Sequence, residues 1–194
     1  MYSPPQFEEK DETVLRALIE AHPLGLLIST AGSEAMANPV PFLVSLRDGA
    51  HVLVVFQGAD SYVTPSWYAS KTEHGKVVPT WNYAMVQARG SASVHEGADW
   101  LGPQVAELTD RHEAERPEAW KVNDAPEAFV AAQLRGIVGI EIAVTELTGK
   151  WKVSQNRPET DRRGVQAGLT AEGETAMAGL VGDRGGLHND KVKP

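Results

Sequence analysis

Residues 149–164, GKWKVSQNRPETDRRG, gather five basic side chains (Lys150, Lys152, Arg157, Arg162, Arg163) against two acidic ones (Glu159, Asp161), in a 194-residue chain of net charge -8. Trp151, Gln155 and Asn156 stand among them. Cations beside an indole and two amides suit a small anionic ligand with a flat ring. Charge-assisted bonds meet the anion, an aromatic face covers the ring, and amides reach its heteroatoms. In an extended strand Trp151, Val153 and Gln155 face one side while Lys152 and Ser154 face the other. An exposed edge strand whose lysines discourage aggregation would use the same residues, and their types alone do not choose between the two.

A second group begins at Lys76 and continues through Thr80, Trp81, Asn82 and Tyr83, an amide and hydroxyls among aromatics. Trp81 and Tyr83 share a strand face, where a core or dimer-interface role competes with ring stacking. Ser66 and Trp67, with Tyr68, could lid a groove or merely pack a turn behind Pro65. Asn38, before Pro39, is a weaker candidate. The six histidines form no HxH or HExxH spacing, so no metal site is expected. Ser66 and Ser154 lack a nucleophile-elbow context, and Asp110 and Glu113 fall on a charge-rich helical face, so no catalytic residue is assigned.

The elements that must position these groups follow from periodicity. EEKDETVLRALIEAH (8–22) reads as an amphipathic helix stopped by Pro23. Strands are expected at 24–30, 36–45, 51–58, 77–96 and 138–155, with a long loop between 58 and 77. Helices are expected at 98–115, 124–137 and 169–181. Strands dominate the first half, helices follow, and a strand returns late. That order points to an α+β domain with an antiparallel sheet or barrel rather than a doubly wound fold, and no Gly-rich phosphate loop follows a strand.

The chain is long enough for one domain with a substantial core. It has no cysteine, which removes disulfides and thiolate chemistry. The first residues lack a signal-peptide pattern and no apolar run approaches a membrane span, so a cytoplasmic, non-membrane protein is expected. A pI near 5.2 and the lack of a recognisable helix-turn-helix argue against direct DNA binding.

Three blocks taken together, VLVVFQGADSYVTPSWY (52–68), EHGKVVPTWNYAMV (73–86) and GKWKVSQNRPETDRRGV (149–165), resemble the PaiB family of FMN-binding split-barrel proteins, often named negative transcriptional regulators. MYSPPQF, HPLGLLIS and the LTDRHE segment match in the same order, so the resemblance reaches about residue 169. It implies a six-stranded antiparallel split β-barrel of the pyridoxamine-phosphate-oxidase type with peripheral helices, working as a homodimer with FMN in a groove between subunits. It also implies a domain at 1–169 with a helical insert near 98–136, then a C-terminal helix and tail at 170–194. Under it the cofactor-binding candidates are Trp151, Lys152, Gln155, Asn156, Arg157, Lys76, Thr80, Trp81, Asn82, Ser66, Trp67 and Asn38.

In one respect the sequence departs from the family pattern. Between Val44 and His51 only a short turn remains where the family carries a further strand that resembles the phosphate-contacting strand of related flavoproteins. Three functions follow as expectations: a flavin-responsive regulator, an FMN-dependent oxidoreductase on a small substrate with no role at DNA, or a split-barrel dimer that has lost its cofactor.

Overall fold

In the computed structural model the described residues are 3–31, 34–42 and 50–187. After a single 3-10 turn at Pro5–Phe7, the elements are β1 (Glu8–Glu9), α1 (Glu12–Ala21), β2 (Leu24–Ala31), β3 (Glu34–Pro41) and β4 (Ala50–Val63). There follow a 3-10 turn at Pro65–Trp67, α2 (Ala69–Glu73), β5 (Thr80–His95), α3 (Ala98–Glu113), a 3-10 turn at Val122–Asp124 and α4 (Glu127–Leu134). The chain then forms β6 (Gly139–Lys152), α5 (Glu159–Ala171) and α6 (Thr175–Arg184). The strands make one six-stranded sheet in the order β1-β6-β5-β4-β2-β3.

Register is set at both edges. Glu8 lies opposite Lys150, and Leu24 opposite Pro41, each in an antiparallel pair. Between β5 and β6 the side-chain bonds Lys152 to Thr80, Thr145 to the Arg89 carbonyl and His95 to Glu141 show the partner number falling as the other rises, which is antiparallel pairing. Along β5 the period of two is plain: Asn82, Ala84, Val86 and Ala88 are buried, while Trp81, Tyr83 and Met85 turn outward.

Contacts divide the chain into two compact units, Met1–Phe42 with Val54–Ala88 and Leu147–Pro194, and Leu43–Leu53 with Arg89–Glu146. In the first, α1 is capped by Asp11, whose side chain accepts from the Thr13 amide, and it buries Leu15, Leu18 and Ile19. A second cluster joins Val63, Tyr68 and Val153 to Val165 and Leu169 of α5 and Met177, Ala178 and Val181 of α6. Burial of each large aliphatic chain contributes about 1.5–3 kcal/mol. In the second unit α3 buries Leu101, and a Cβ on Gly139 would fall 2.3 Å from the Trp100 ring, so that helix sits tightly against β6. The His95 ring stacks on Trp100 at 4.1 Å and meets Glu141 at 3.0 Å.

Several boundaries differ from expectation. β4 runs to Val63 instead of stopping at 58, its alternation changing phase midway. β6 ends at Lys152 rather than 155: Ser154 has φ 66, a left-handed backbone that ends extended structure. Beyond the turn the basic segment continues into α5, a helix for which no element was expected before residue 169. The helix expected at 169–181 is two helices, parted at Gly173, whose φ of 84 suits glycine. Residues 169 and 170, the expected domain boundary, lie inside α5. The shortened segment between Val44 and His51 falls largely outside the described residues.

Candidate functional site

All the candidate residues belong to the first unit, and the pleat sorts them into two groups. The outward group forms three parallel rows. On β6, Lys150 and Lys152 place their Nζ atoms 5.4 and 5.9 Å from the centre of the Tyr83 ring. On β5, Trp81, Tyr83 and Met85 form an apolar row, with Trp81 55% exposed and packed edge-on against Tyr62 at 5.9 Å. On β4, Gln57 and Asp60 are joined by a 2.9 Å hydrogen bond from Gln57 Nε2 to Asp60 Oδ2. Gln57, Asp60, Trp81, Tyr83 and Met85 line a cleft of about 250 Å³. That is near the lower limit for a small-molecule pocket.

The third row exists because of a bulge. In a regular strand residues 57 and 60 point to opposite faces. Here Val54, Phe56 and Gly58 look inward, Gly58 toward Leu18, and then Ser61 and Val63 look inward. Ala59 also packs against the core, so one extra residue at 58–59 shifts the phase, the offset a β-bulge produces, and it brings Asp60 round to the side of Gln57. Sequence reasoning missed both residues. The signal was available in VVFQGADSYV, where an apolar run breaks at a glycine and resumes out of phase.

Lys152 is the electrostatic centre. Its ammonium donates to Thr80 Oγ1 and, at 2.6 Å, to the Trp81 carbonyl, and both acceptors are neutral. Burial, then the charges of Lys150 and Arg157, push its pKa below the usual lysine value. A cation held by neutral acceptors beside other cations is electrostatically complementary to an anion. FMN requires a cationic site for its phosphate, a surface for its ring and polar groups at the ring edge, and the β6, β5 and β4 rows supply these in turn. The residues present therefore fit the cofactor.

The inward group anchors the outward one. Trp151 is 4% exposed with the Arg184 guanidinium 5.5 Å over its ring, so it packs in the core and offers no open face. Arg184 also pairs with the buried Glu9 at 2.5 Å, tying β1 to α6. Asn82 is buried too, and its amide Nδ2 donates to Ser154 Oγ at 3.0 Å while its Oδ1 lies 3.2 Å from the same hydroxyl. This pair pins the left-handed turn that follows Lys152. Gln155 folds back on its own turn, its Oε1 accepting from the Val153 amide and its Nε2 donating to the Trp151 carbonyl.

Arg157 lies over the Tyr68 ring at 4.8 Å, and its carbonyl accepts from Arg162. Burial raises the Tyr68 hydroxyl's pKa, with Arg157 pulling the other way. Trp67 is half buried in a notch of α5: a Cβ on Gly164 would fall 2.0 Å from its carbonyl oxygen, and one on Gly168 2.3 Å from its ring. Asp161, 1% exposed, accepts from the Ser70 amide and hydroxyl, both at 2.9 Å, and thereby caps α2 from α5. Ser66 is exposed and accepts from Lys71, Lys76 is exposed with its amide on His74 Nδ1, and Asn156 and Asn38 are exposed. The structure thus brings Lys152, Thr80 and Trp81 into one site. It uses Trp151, Asn82, Gln155, Arg157 and Trp67 as supports and leaves Ser66, Lys76, Asn156 and Asn38 away from those contacts.

A family model described as "Putative FMN-binding domain" matches residues 1–51 and 43–146. The chain belongs to this FMN-binding family. FMN is the family's cofactor, and the membership expected from the three sequence blocks is borne out. Among relatives of the FMN-binding family, the chain is 27% identical to the Bacillus subtilis protease synthase and sporulation protein PAI 2, over 95% of this chain and 98% of that protein. The two pieces of the family match share residues 43–51, and the alignment with the Bacillus protein has 208 positions against the 194 residues here.

Uncharacterised proteins of Emericella nidulans and Aspergillus fumigatus are 38% and 36% identical over 76% and 72% of this chain. The match spans only 64% and 61% of those fungal proteins' own lengths. Two solved structures share the fold at a TM-score of 0.51. One is the flavocytochrome Anf3 of Azotobacter vinelandii, 13% identical over 75% of this chain and 69% of that one. The other is an FAD- and haem-binding protein of Mycobacterium smegmatis, 14% identical over 75% and 73%. The α+β, six-stranded antiparallel split-barrel class read from the sequence is the class observed.

Proposed function

We propose that the protein binds FMN across the outward face of β4, β5 and β6 and works as a PaiB-type homodimer, a negative regulator whose input is the flavin's redox or ligand state. The observation that carries this is Lys152, a cation with two neutral hydrogen-bond partners and cationic neighbours at the end of an aromatic row. Lys150 and Lys152 hold the phosphate, with Thr80 orienting Lys152. Trp81, Tyr83 and Met85 support the ring. The bound flavin supplies hydride or electron transfer, while the chain's own residues bind it, orient it and shield one face from water.

The dimer reading rests on exposed apolar surface. Leu24 and Leu26 are 64% and 40% exposed on β2, and Tyr62 and Trp81 add to it on β4 and β5. A cleft this small and open on one side is completed by a second subunit. The wide exposure of apolar side chains on one sheet face supports the same reading.

A second reading, an FMN-dependent oxidoreductase with no direct role at DNA, is favoured by charge. The net charge is -8, and the basic side chains of 149–164 have partners within the chain: Lys152 on Thr80, Arg157 on Tyr68, Arg162 on the Arg157 carbonyl, Arg163 on Glu159. A chain this acidic, with one short basic segment, is poorly suited to displace DNA counterions. Among the described residues no helix is long and apolar enough to cross a membrane.

The test is the visible spectrum of the purified protein before and after FMN is added. Flavin bands that are perturbed and co-elute with a dimer are expected. A protein that neither carries nor takes up FMN would have lost the cofactor, and the site reading would fall. Promoter binding across salt concentrations, measured beside NAD(P)H-driven flavin reduction, separates regulator from oxidoreductase.

A further inference from the structure

The Gln57–Asp60 pair is left without a task by the phosphate and ring contacts. It is an exposed carboxylate and an exposed amide, joined to each other at 2.9 Å and turned onto one face only by the bulge. Bulges next to binding sites commonly re-aim a side chain. Here the re-aimed side chains form the wall of the cleft that lies across the aromatic row from the lysines. Strands in a sheet lie about 4.8 Å apart, so the β4 and β6 rows stand about 10 Å from one another.

The chemistry of the pair is specific. Asp60 keeps one carboxylate oxygen beyond the Gln57 bond, a charged acceptor. Gln57 has given one of its two N–H groups to Asp60 and keeps the other as a donor. A charged acceptor beside a neutral donor complements a ring edge that carries an N–H next to a carbonyl. The pyrimidine edge of the isoalloxazine is such an edge, with N3–H flanked by two carbonyls. It also repels a second anionic group at that end, which fixes the direction in which a ligand with one phosphate can lie.

Resting on the FMN reading above, we propose that Gln57 and Asp60 are specificity-determining residues that read the N3–H and an adjacent carbonyl of the flavin edge. The bulge at 58–59 presents them. A flavin methylated at N3 has no hydrogen to give Asp60 and places a methyl group against it. FMN should therefore bind about tenfold or more tightly than N3-methyl-FMN. Removing the Asp60 charge should also raise the reduction potential of the bound flavin, since a nearby carboxylate disfavours added negative charge on the ring.

The test titrates the full chain with FMN and with N3-methyl-FMN, following flavin fluorescence, in the wild type, Asp60→Ala, Gln57→Ala and Asp60→Asn. Both residues are exposed and bonded to each other, so the variants should fold. The expected result is a clear wild-type preference for FMN that Asp60→Ala loses, a weakening of both flavins alike in Gln57→Ala, and a raised flavin potential in Asp60→Asn. Equal wild-type affinity for the two flavins, an Asp60→Ala variant that keeps the preference, or a Gln57→Ala variant that binds both flavins as the wild type does, would overturn the assignment while leaving the cofactor reading standing. A wild type that binds neither flavin overturns both.

Discussion

Trp81 and Trp151 lie on neighbouring strands, each beside a lysine-bearing contact, and the pleat gives them opposite fates. Trp81 is 55% exposed at the edge of a cleft; Trp151 is 4% exposed beneath the Arg184 guanidinium. The same division separates Lys152 from Asn82 and Ser154, which lie next to site residues in sequence but face the core. One face carries polar chemistry that neutral partners leave uncompensated. The other buries polar groups in pairs such as Asn82 with Ser154 and Asp161 with Ser70. A residue type suited to a ligand thus becomes a ligand contact on one side of a strand and a strut on the other.

The inward side should show the larger effects on stability. Gly168→Leu drives a side chain into the Trp67 ring and should cost about 1–3 kcal/mol, lowering the melting temperature by roughly 2–12 °C. Asn82→Ala leaves the buried Ser154 hydroxyl without its partner and should cost about 1–3 kcal/mol by denaturant titration. Ser154→Gly should be close to neutral, because relief of the left-handed backbone offsets the lost bond, whereas Ser154→Ala should lose about 1 kcal/mol. A melting temperature for Asn82→Ala equal to the wild type's would dissolve the distinction between the two faces.

How much of this was legible beforehand depends on which interaction decided each element. The buried run of β4 and the alternation of β5 were readable because their apolar residues keep strand period. The bulge was not, since one inserted residue leaves composition unchanged and only reverses the face. α5 was hidden because ETDRRGVQAGLTA carries few apolar residues and is held by Trp67 in its glycine notch and by Asp161 on Ser70, both contacts distant in sequence. Lys152 and Trp81 were readable as ligand-type residues. That Trp151 and Asn82 are core residues was not, because the strand ends at Lys152 and the turn beyond it depends on a buried bond 72 residues away.

The outward side should give effects on flavin with little effect on folding. FMN affinity should fall as pH rises through the lowered pKa of Lys152, because the free protein then holds a neutral amine where the phosphate needs an ammonium. Linkage has the opposite sign for folding. A lysine whose folded pKa is depressed binds fewer protons than in the unfolded chain, so stability rises with pH between that lowered value and the ordinary lysine value. Lys152→Gln should remove both trends. Trp81→Ala, the smallest effect, should change stability by less than about 0.5 kcal/mol while weakening FMN about threefold to tenfold.

The central claim is that the β6 lysines face the phosphate. Its most direct test compares FMN with riboflavin in the wild type and in Lys152→Gln by fluorescence titration, alongside each protein's melting temperature. Phosphate recognition at Lys152 predicts that the wild type prefers FMN and that Lys152→Gln loses most of that preference with its melting temperature unchanged or slightly raised. A preference for FMN that survives the substitution intact would place the phosphate elsewhere and contradict the site.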